Sequence, residues 1–330
     1  MKNIFSYQNL HKKYHHLWYG RCVVLLYHRI INLDFDPQLL AVSIENFESQ
    51  MELLKQKYSC LTIEEFHQYL DSGKKIPKNS VVITFDDGYR DNFLNALPIL
   101  ERYNFQALFY ITTGNINSNK EFWWDEVEKI LYSKNSPNLN EIFWGNFYFS
   151  LESWNAEKRD DLYMKILPFF RGLEVDQRNM YLIELRRIFC LNEEGRNTHL
   201  SMSLEELKEF SQSKSVVIGG HTVNHPSLAH INLVNQEFEI KKSIQFLEDC
   251  IGGKIVDFSY PFGTRSNYNL ETIRICNELG INYVAANFPK KVDKRSDKFQ
   301  FSRFLVRNWN AKEFENQLEI YFNSDESFTY

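Results

Sequence analysis

Val81-Val82-Ile83-Thr84-Phe85-Asp86-Asp87-Gly88 decides how this chain is read. The apolar and β-branched run has the length of a buried strand, and Asp-Asp-Gly at its end is good turn chemistry. Parallel sheets bind ligands at the carboxyl ends of their strands, where Asp86 and Asp87 fall. Side chains alternate along a strand, so two adjacent carboxylates cannot serve one ligand equally. On its own the stretch is read equally well as a plain turn.

A second motif, His221-Thr222-Val223-Asn224-His225, weighs against the plain turn. Its two histidines are four apart, a spacing that places both imidazoles on one face of a helical turn. Gly219-Gly220 before them allow close backbone approach, and Pro226 ends the segment. Together the motifs can hold one divalent metal with three side chains and leave one carboxylate free, the pattern of a catalytic rather than a structural zinc site.

His28 closes the strand candidate Cys22–Tyr27 and reaches the same face, as a third ligand, a general acid or a hydrogen-bonded core histidine. Ser259-Tyr260-Pro261-Phe262-Gly263 closes another strand, with Arg265 just after it. Pro261 locks the turn and Gly263 lets the backbone pass near a ligand. The Phe262 N–H is then free to stabilise an oxyanion.

Further strand candidates are Ala107–Ile111, Val216–Ile218, Ile255–Tyr260, Tyr283–Ala286 and Phe304–Val306. Amphipathic segments lie between them, among them Ile44–Tyr58, Ile63–Leu70, Tyr89–Tyr103 and Gln236–Cys250, the last with Phe238, Ile240, Ile244 and Leu247 apolar among Glu and Lys. Strand-then-helix repetition predicts an α/β fold with a mainly parallel sheet, closer to a barrel than to an open sheet. From about 115 to 201 the rhythm breaks into helical patterns (Phe122–Tyr132, Glu157–Phe170, Gln177–Cys190), expected as an insertion among the loops near the site. Trp123 and Trp124 at its start either stack on sugar rings or anchor the insertion. The expected organisation is an N-terminal extension over 1–20 and one barrel over 21–330.

Net charge of −5 without a basic face argues against nucleic acid. The five cysteines are scattered, form no CxxC and suit a reducing compartment. No stretch has signal-peptide or membrane-span character, so cytoplasmic residence is expected, with peripheral contact of the basic, aromatic N-terminus at the inner membrane as a variant.

The three motifs, in this order, resemble the polysaccharide deacetylase family (carbohydrate esterase family four), with Ile218-Gly219-Gly220 before the histidines and Pro226-Ser227-Leu228 after them. The resemblance runs from about His28 to Asn308, with the insertion outside the common core. It implies a distorted (β/α)7-type barrel and a divalent metal, usually Zn2+, with Co2+, Ni2+ or Mn2+ as substitutes. It also implies hydrolytic removal of N-acetyl, less often O-acetyl, groups from sugars. Carried over, Asp87, His221 and His225 would hold the metal, Asp86 would be the base, and the Phe262 amide would complete the oxyanion site. Tyr260, Pro261, Trp123 and Trp124 are the candidate substrate contacts.

Two departures from the family pattern stand out. The base-orienting arginine expected two residues before Pro261 is Ser259, which leaves Arg303 or Arg265 to replace it. The late histidine that serves as general acid is missing from Arg303-Phe304-Leu305-Val306-Arg307. Leu26-Tyr27-His28 resembles a branch in which an N-terminal strand supplies that group, making His28 the candidate acid. The expected substrate is an N-acetylhexosamine glycan or a lipid- or nucleotide-linked precursor of surface-glycan assembly. The alternatives are an O-acetyl ester or other amide on the same metal site, a non-catalytic glycan-binding protein, and a scaffold docking a partner through the insertion.

Overall fold

The computed structural model describes residues 20–72 and 74–323; the extension expected over 1–20 lies, except for Gly20, outside the described residues. Apolar runs rich in Val, Ile and Phe form one parallel sheet, ordered Tyr283–Ala285, Asp257–Ser259, Val216–Gly220, Ala107–Ile111, Ser80–Phe85, Cys22–Tyr27 and Phe304–Leu305, with Ser59–Cys60 beside the start of Ser80–Phe85. Residues 298–301 continue it past Tyr283–Ala285: Val284 N–H donates to the Lys298 carbonyl, Phe301 N–H to that of Val284 and Ala286 N–H to that of Phe301. The sheet therefore curls, giving the α/β, distorted (β/α)7-type architecture expected from the strand–helix alternation.

Alternation along the strands divides the sheet into two faces. Val23, Leu25, Tyr27, Val81, Ile83, Phe85 and Phe109 pack outward in one core with Phe47, Met51 and Leu54 of helix Ile44–Lys57 and with Ile240, Ile244 and Leu247 of helix Leu233–Ile251. Cys22, Val24, Val82, Leu108 and Tyr110 face the inside of the curl, where Ile63 and Phe66 of helix Ile63–Ser72 join them. Counting on from Val82 through Thr84 puts Asp86 on the inner face, and counting on from Val24 does the same for His28. The register makes these two residues neighbours: Tyr27 lies opposite Phe85, and the Asp86 N–H donates to the Tyr27 carbonyl at 3.0 Å.

Two elements differ from the sequence expectation. The helix predicted from Tyr89 begins as a wide turn over Asn92–Ala96 and becomes regular only at Leu97–Tyr103. In helix Leu233–Ile251, capped by the Asn232 side chain, Phe238 is exposed and the buried face includes Glu239.

The region of about 115–201 has its own apolar core, built from Phe122, Val127, Ile130, Trp144, Leu162, Ile166, Phe170, Leu185 and Phe189. Helices Trp123–Leu131, Ala156–Arg171 and Val175–Ile188 supply most of it. It is not purely helical, because Glu141–Trp144 and Phe147–Ser150 pair as an antiparallel hairpin around Gly145 (φ 58°). Among the described residues no helix is long and apolar enough to cross a membrane.

Candidate metal centre and active site

The carboxyl ends of strands Cys22–Tyr27, Ser80–Phe85, Val216–Gly220 and Asp257–Ser259 meet at the inner mouth of the curl, with Arg303 just before strand Phe304–Leu305. Asp87 follows Ser80–Phe85 in a left-handed backbone (φ 75°), which breaks the strand alternation and lets its carboxylate share the site with that of Asp86. Thr222 (φ 66°), His225 (φ 50°) and Phe262 (φ 62°) are also left-handed. Such conformations are costly for residues with a Cβ and persist where surrounding contacts over-determine them.

Asp87, His221 and His225 are all buried, and one ligand atom from each lies within 4.8 Å of the others. His225 Nε2 is 3.4 Å and His221 Nε2 3.6 Å from Asp87 Oδ1. His221 Nδ1 lies 2.7 Å from the Ser259 carbonyl, which can only accept, so Nδ1 carries the proton and Nε2 faces Asp87 with its lone pair. Gly219 lets strand Val216–Gly220, which leads into His221, lie close against its neighbour: a Cβ there would lie 2.7 Å from the Tyr110 ring.

Burial holds both imidazoles below their ordinary range, His225 well below it, with His221 adding to the effect on His225. Both rings are therefore neutral, the form that ligates metals. Burial, with Asp86 and Asp125 nearby, pushes Asp87 well above the usual carboxylate range. A buried carboxylate facing two neutral imidazoles, with the His221 lone pair toward it, is a donor set that fits a divalent cation of the zinc type.

Asp86 is held differently. Arg303, fully buried, donates from Nη1 to Oδ1 at 2.6 Å and from Nη2 to Oδ2 at 2.7 Å. The same Nη2 reaches Ser259 Oγ at 2.7 Å, and Nη1 reaches Thr84 Oγ1 at 3.3 Å. Burial alone would raise the Asp86 carboxyl, but Arg303 and His221 outweigh it and hold the group below its usual range. Neighbouring carboxylates thus sit in opposite electrostatic settings: Asp86 is held ionised by an arginine, whereas Asp87 is raised by burial and by Asp86 itself.

His28 is half-buried, its Nδ1 out of water with no partner among the described residues. Burial of the ring outweighs the pull of Asp86 and takes it down to about 4, so the resting ring is neutral at pH 7. The Phe262 ring packs edge-on against His225 at 4.6 Å and lies 4.2 Å below the Arg171 guanidinium.

A polysaccharide deacetylase profile matches residues 73–136 and 183–284, half of the chain, on either side of the insertion's middle. The chain belongs to the polysaccharide deacetylase family. It is 33% identical over 120 residues to a poly-beta-1,6-N-acetyl-D-glucosamine N-deacetylase of Staphylococcus aureus, covering 32% of this chain and 41% of that protein. The match thus spans about two fifths of this curated relative. Its fold resembles those of the Streptococcus pyogenes deacetylase PplD in complex with acetate (TM-score 0.60, 19% identity, 90% of this chain and 97% of that one) and of IcaB from Ammonifex degensii (TM-score 0.58, 18% identity, 92% and 98%).

In this deacetylase-family chain the structure gathers Asp86, Asp87, His221, His225 and Arg303, but sets other sequence candidates apart. Arg265 is exposed, its guanidinium 5.0 Å from the Phe288 ring, and both Asp86 oxygens are already taken by Arg303. Tyr260 is fully buried, stacked on Tyr268 at 4.1 Å with its hydroxyl on the Phe299 carbonyl, and Pro261 is buried beside it. These side chains offer no surface to a sugar. Trp123 and Trp124 are core residues of the insertion: Trp124 donates to Tyr89 Oη at 2.8 Å and packs 4.5 Å from the His225 ring. Ser259, which in the sequence marks only a missing arginine, fixes the His221 tautomer through its carbonyl and bridges toward Asp86 through its hydroxyl.

Proposed function

We propose that this chain is a metal-dependent hydrolase that removes the N-acetyl group from an N-acetylhexosamine of a glycan or glycan precursor. One observation carries the reading: an arginine-held, ionised Asp86 stands directly beside a three-ligand donor set made by Asp87, His221 and His225. Those three residues would hold a divalent ion, which when bound would acidify water toward neutral pH and act as a Lewis acid toward the acetamide oxygen.

Asp86 accepts the water's proton, and its pairing with Arg303 keeps it in the charged form that can do so. The Phe262 N–H, which has no partner among the described residues, donates to the carbonyl oxygen as it gains charge. His28, neutral at rest, would take the proton that Asp86 accepted from the water and deliver it to the departing nitrogen, which restores both groups and avoids expelling an unprotonated nitrogen anion. The products are acetate and a free amino sugar. Membership of the family and the N-deacetylase name of the matched relative support this choice over an inert binding protein.

The test is a panel of soluble N-acetylglucosamine oligomers, lipid-linked and nucleotide-linked N-acetylhexosamines, and O-acetylated sugars, read for acetate and for new primary amine together. Acetate with stoichiometric amine supports the proposal. Acetate without amine would replace it with an O-acetyl esterase.

A further inference from the structure

The loop Thr222–His225, which ends on one candidate ligand and starts beside the other, is gripped from two sides by buried charges of opposite sign. Glu239, 2% exposed on helix Leu233–Ile251, accepts at Oε2 from the N–H groups of Val223 (2.9 Å) and Asn224 (2.8 Å), and at Oε1 from Asn224 Nδ2 (2.7 Å). Arg178, 2% exposed on the insertion helix Val175–Ile188, donates from Nη2 to the Asn224 carbonyl (2.8 Å) and from Nη1 toward that of His225 (3.5 Å). Its guanidinium lies 5.0 Å from the centre of the Trp123 ring, and Nε is buried without a partner among the described residues.

Burying a guanidinium with no carboxylate against it is unfavourable, and among the described residues none lies within ion-pair distance of Arg178. The residue instead touches the backbone of a loop with two left-handed residues, Thr222 and His225. Inside the loop, Thr222 Oγ1 accepts from the His225 N–H at 3.0 Å, which ties the two strained positions together. Glu239 takes the N–H groups of Val223 and Asn224, and Arg178 faces the carbonyls of Asn224 and His225, while the Thr113 and Gly114 N–H groups hold the carbonyls of Thr222 and Val223. Charges of opposite sign thus flank the backbone of Asn224, the residue next to His225.

Resting on the reading that Asp87, His221 and His225 hold a metal, we propose that Arg178 and Glu239 are positioning residues that clamp the ligand loop. The insertion, through Arg178, is then a working part of the metal centre and not only a cover over it. Groups that orient metal ligands from behind typically change metal affinity 10–100-fold when removed.

Zinc affinity, measured by competition with a chromophoric chelator on full-length protein, tests this directly. Arg178→Met and Glu239→Gln are each expected to weaken zinc binding about tenfold or more. Arg178→Lys, which keeps the charge but not the fork, should lie between parent and Met variant. Leu185→Ala, in the insertion core and fully buried, serves as the control: it should lower the melting temperature and leave zinc affinity unchanged. Parental affinity in Arg178→Met or, should that variant not fold, in Arg178→Lys would overturn the clamp. So would an equal loss in Leu185→Ala, which would reduce Arg178 to general packing. A parent that binds no zinc would instead sink the metal reading on which the clamp stands.

Discussion

Arg303 and Asp86, 217 residues apart in sequence, meet as a two-point pair inside the curled sheet, with their contacts at 2.6 and 2.7 Å. Arg303 is fully enclosed and also touches Thr84, Ser259 and the Ala286 carbonyl, so it is wedged against strands on both sides of the site. A buried pair of this kind exerts its largest effect on stability when one partner is removed and the other stays buried.

Arg303→Met should therefore lose about 3–5 kcal/mol of unfolding free energy, because Asp86 is left buried and uncompensated. Denaturant titration reads this, and acetate-release kinetics should show a drop in kcat as the base loses its orientation. Arg303→Lys retains a charge but only a point donor, and should fall between the two. A Met variant with parental stability and kcat would contradict the assignment.

Asp86→Asn keeps the shape of the carboxylate and removes its basicity. Loss of a general base costs roughly 10²–10⁴ in rate, so kcat should fall within that span. Bound zinc, measured by elemental analysis, should stay at the parental level, because the ligand set closes without Asp86. Zinc lost in parallel with activity would move Asp86 into the ligand set.

Metal binding should also register as stability. A ligand held only by the folded state at a hundredfold excess over Kd adds about 2.7 kcal/mol. Zinc is thus expected to raise the melting temperature of the stripped protein, and His225→Ala should abolish the rise. An undiminished shift in that variant would place the metal elsewhere.

His199 gives a pH signature away from this centre. Burial, with Arg29 and Arg196 nearby, pulls its imidazole down to about 2, while the unfolded chain protonates near the ordinary value of about 6.5. Below about pH 6.5 the unfolded state therefore binds the extra proton and the native state does not, so stability falls as pH falls, by at most about 1.4 kcal/mol per unit from this group. His199→Gln should flatten that slope between about pH 6 and 4 in denaturant unfolding. An unchanged slope would show that the ring is protonated within the fold.

Much of this architecture is legible in short-range pattern. The period-two alternation through Val82 and Thr84 is enough to aim Asp86 inward. His221 and His225 do reach one carboxylate, but through a loop with left-handed Thr222 and His225 and not through the helical turn that their spacing predicts. The left-handed turn at Asp87 resolves the difficulty that adjacent aspartates point apart, and nothing in Asp-Asp-Gly announces it. Arg303 and Arg265 are equivalent as letters; only the closing of the sheet, through hydrogen bonds from Val284 to Lys298 and onward, carries one of them to Asp86. The hairpin around Gly145-Asn146 has a readable two-residue turn signal, hidden within a helical neighbourhood. Sequence leaves Trp123 and Trp124 open between sugar stacking and anchoring the insertion, because aromatic composition cannot separate an exposed ring from a packed one; both pack in the insertion's core. Glu239 and Arg178 carry no signal, because their partners are mostly backbone groups of a loop in another element.

The central claim is tested most directly by acetate release from an N-acetylglucosamine oligomer, comparing zinc-restored parent, metal-stripped parent and zinc-treated Asp87→Ala. Release is expected from the zinc-restored parent, with loss on stripping, and none from the variant at any zinc concentration short of precipitation. Equal release from stripped protein, or from Asp87→Ala, would contradict it.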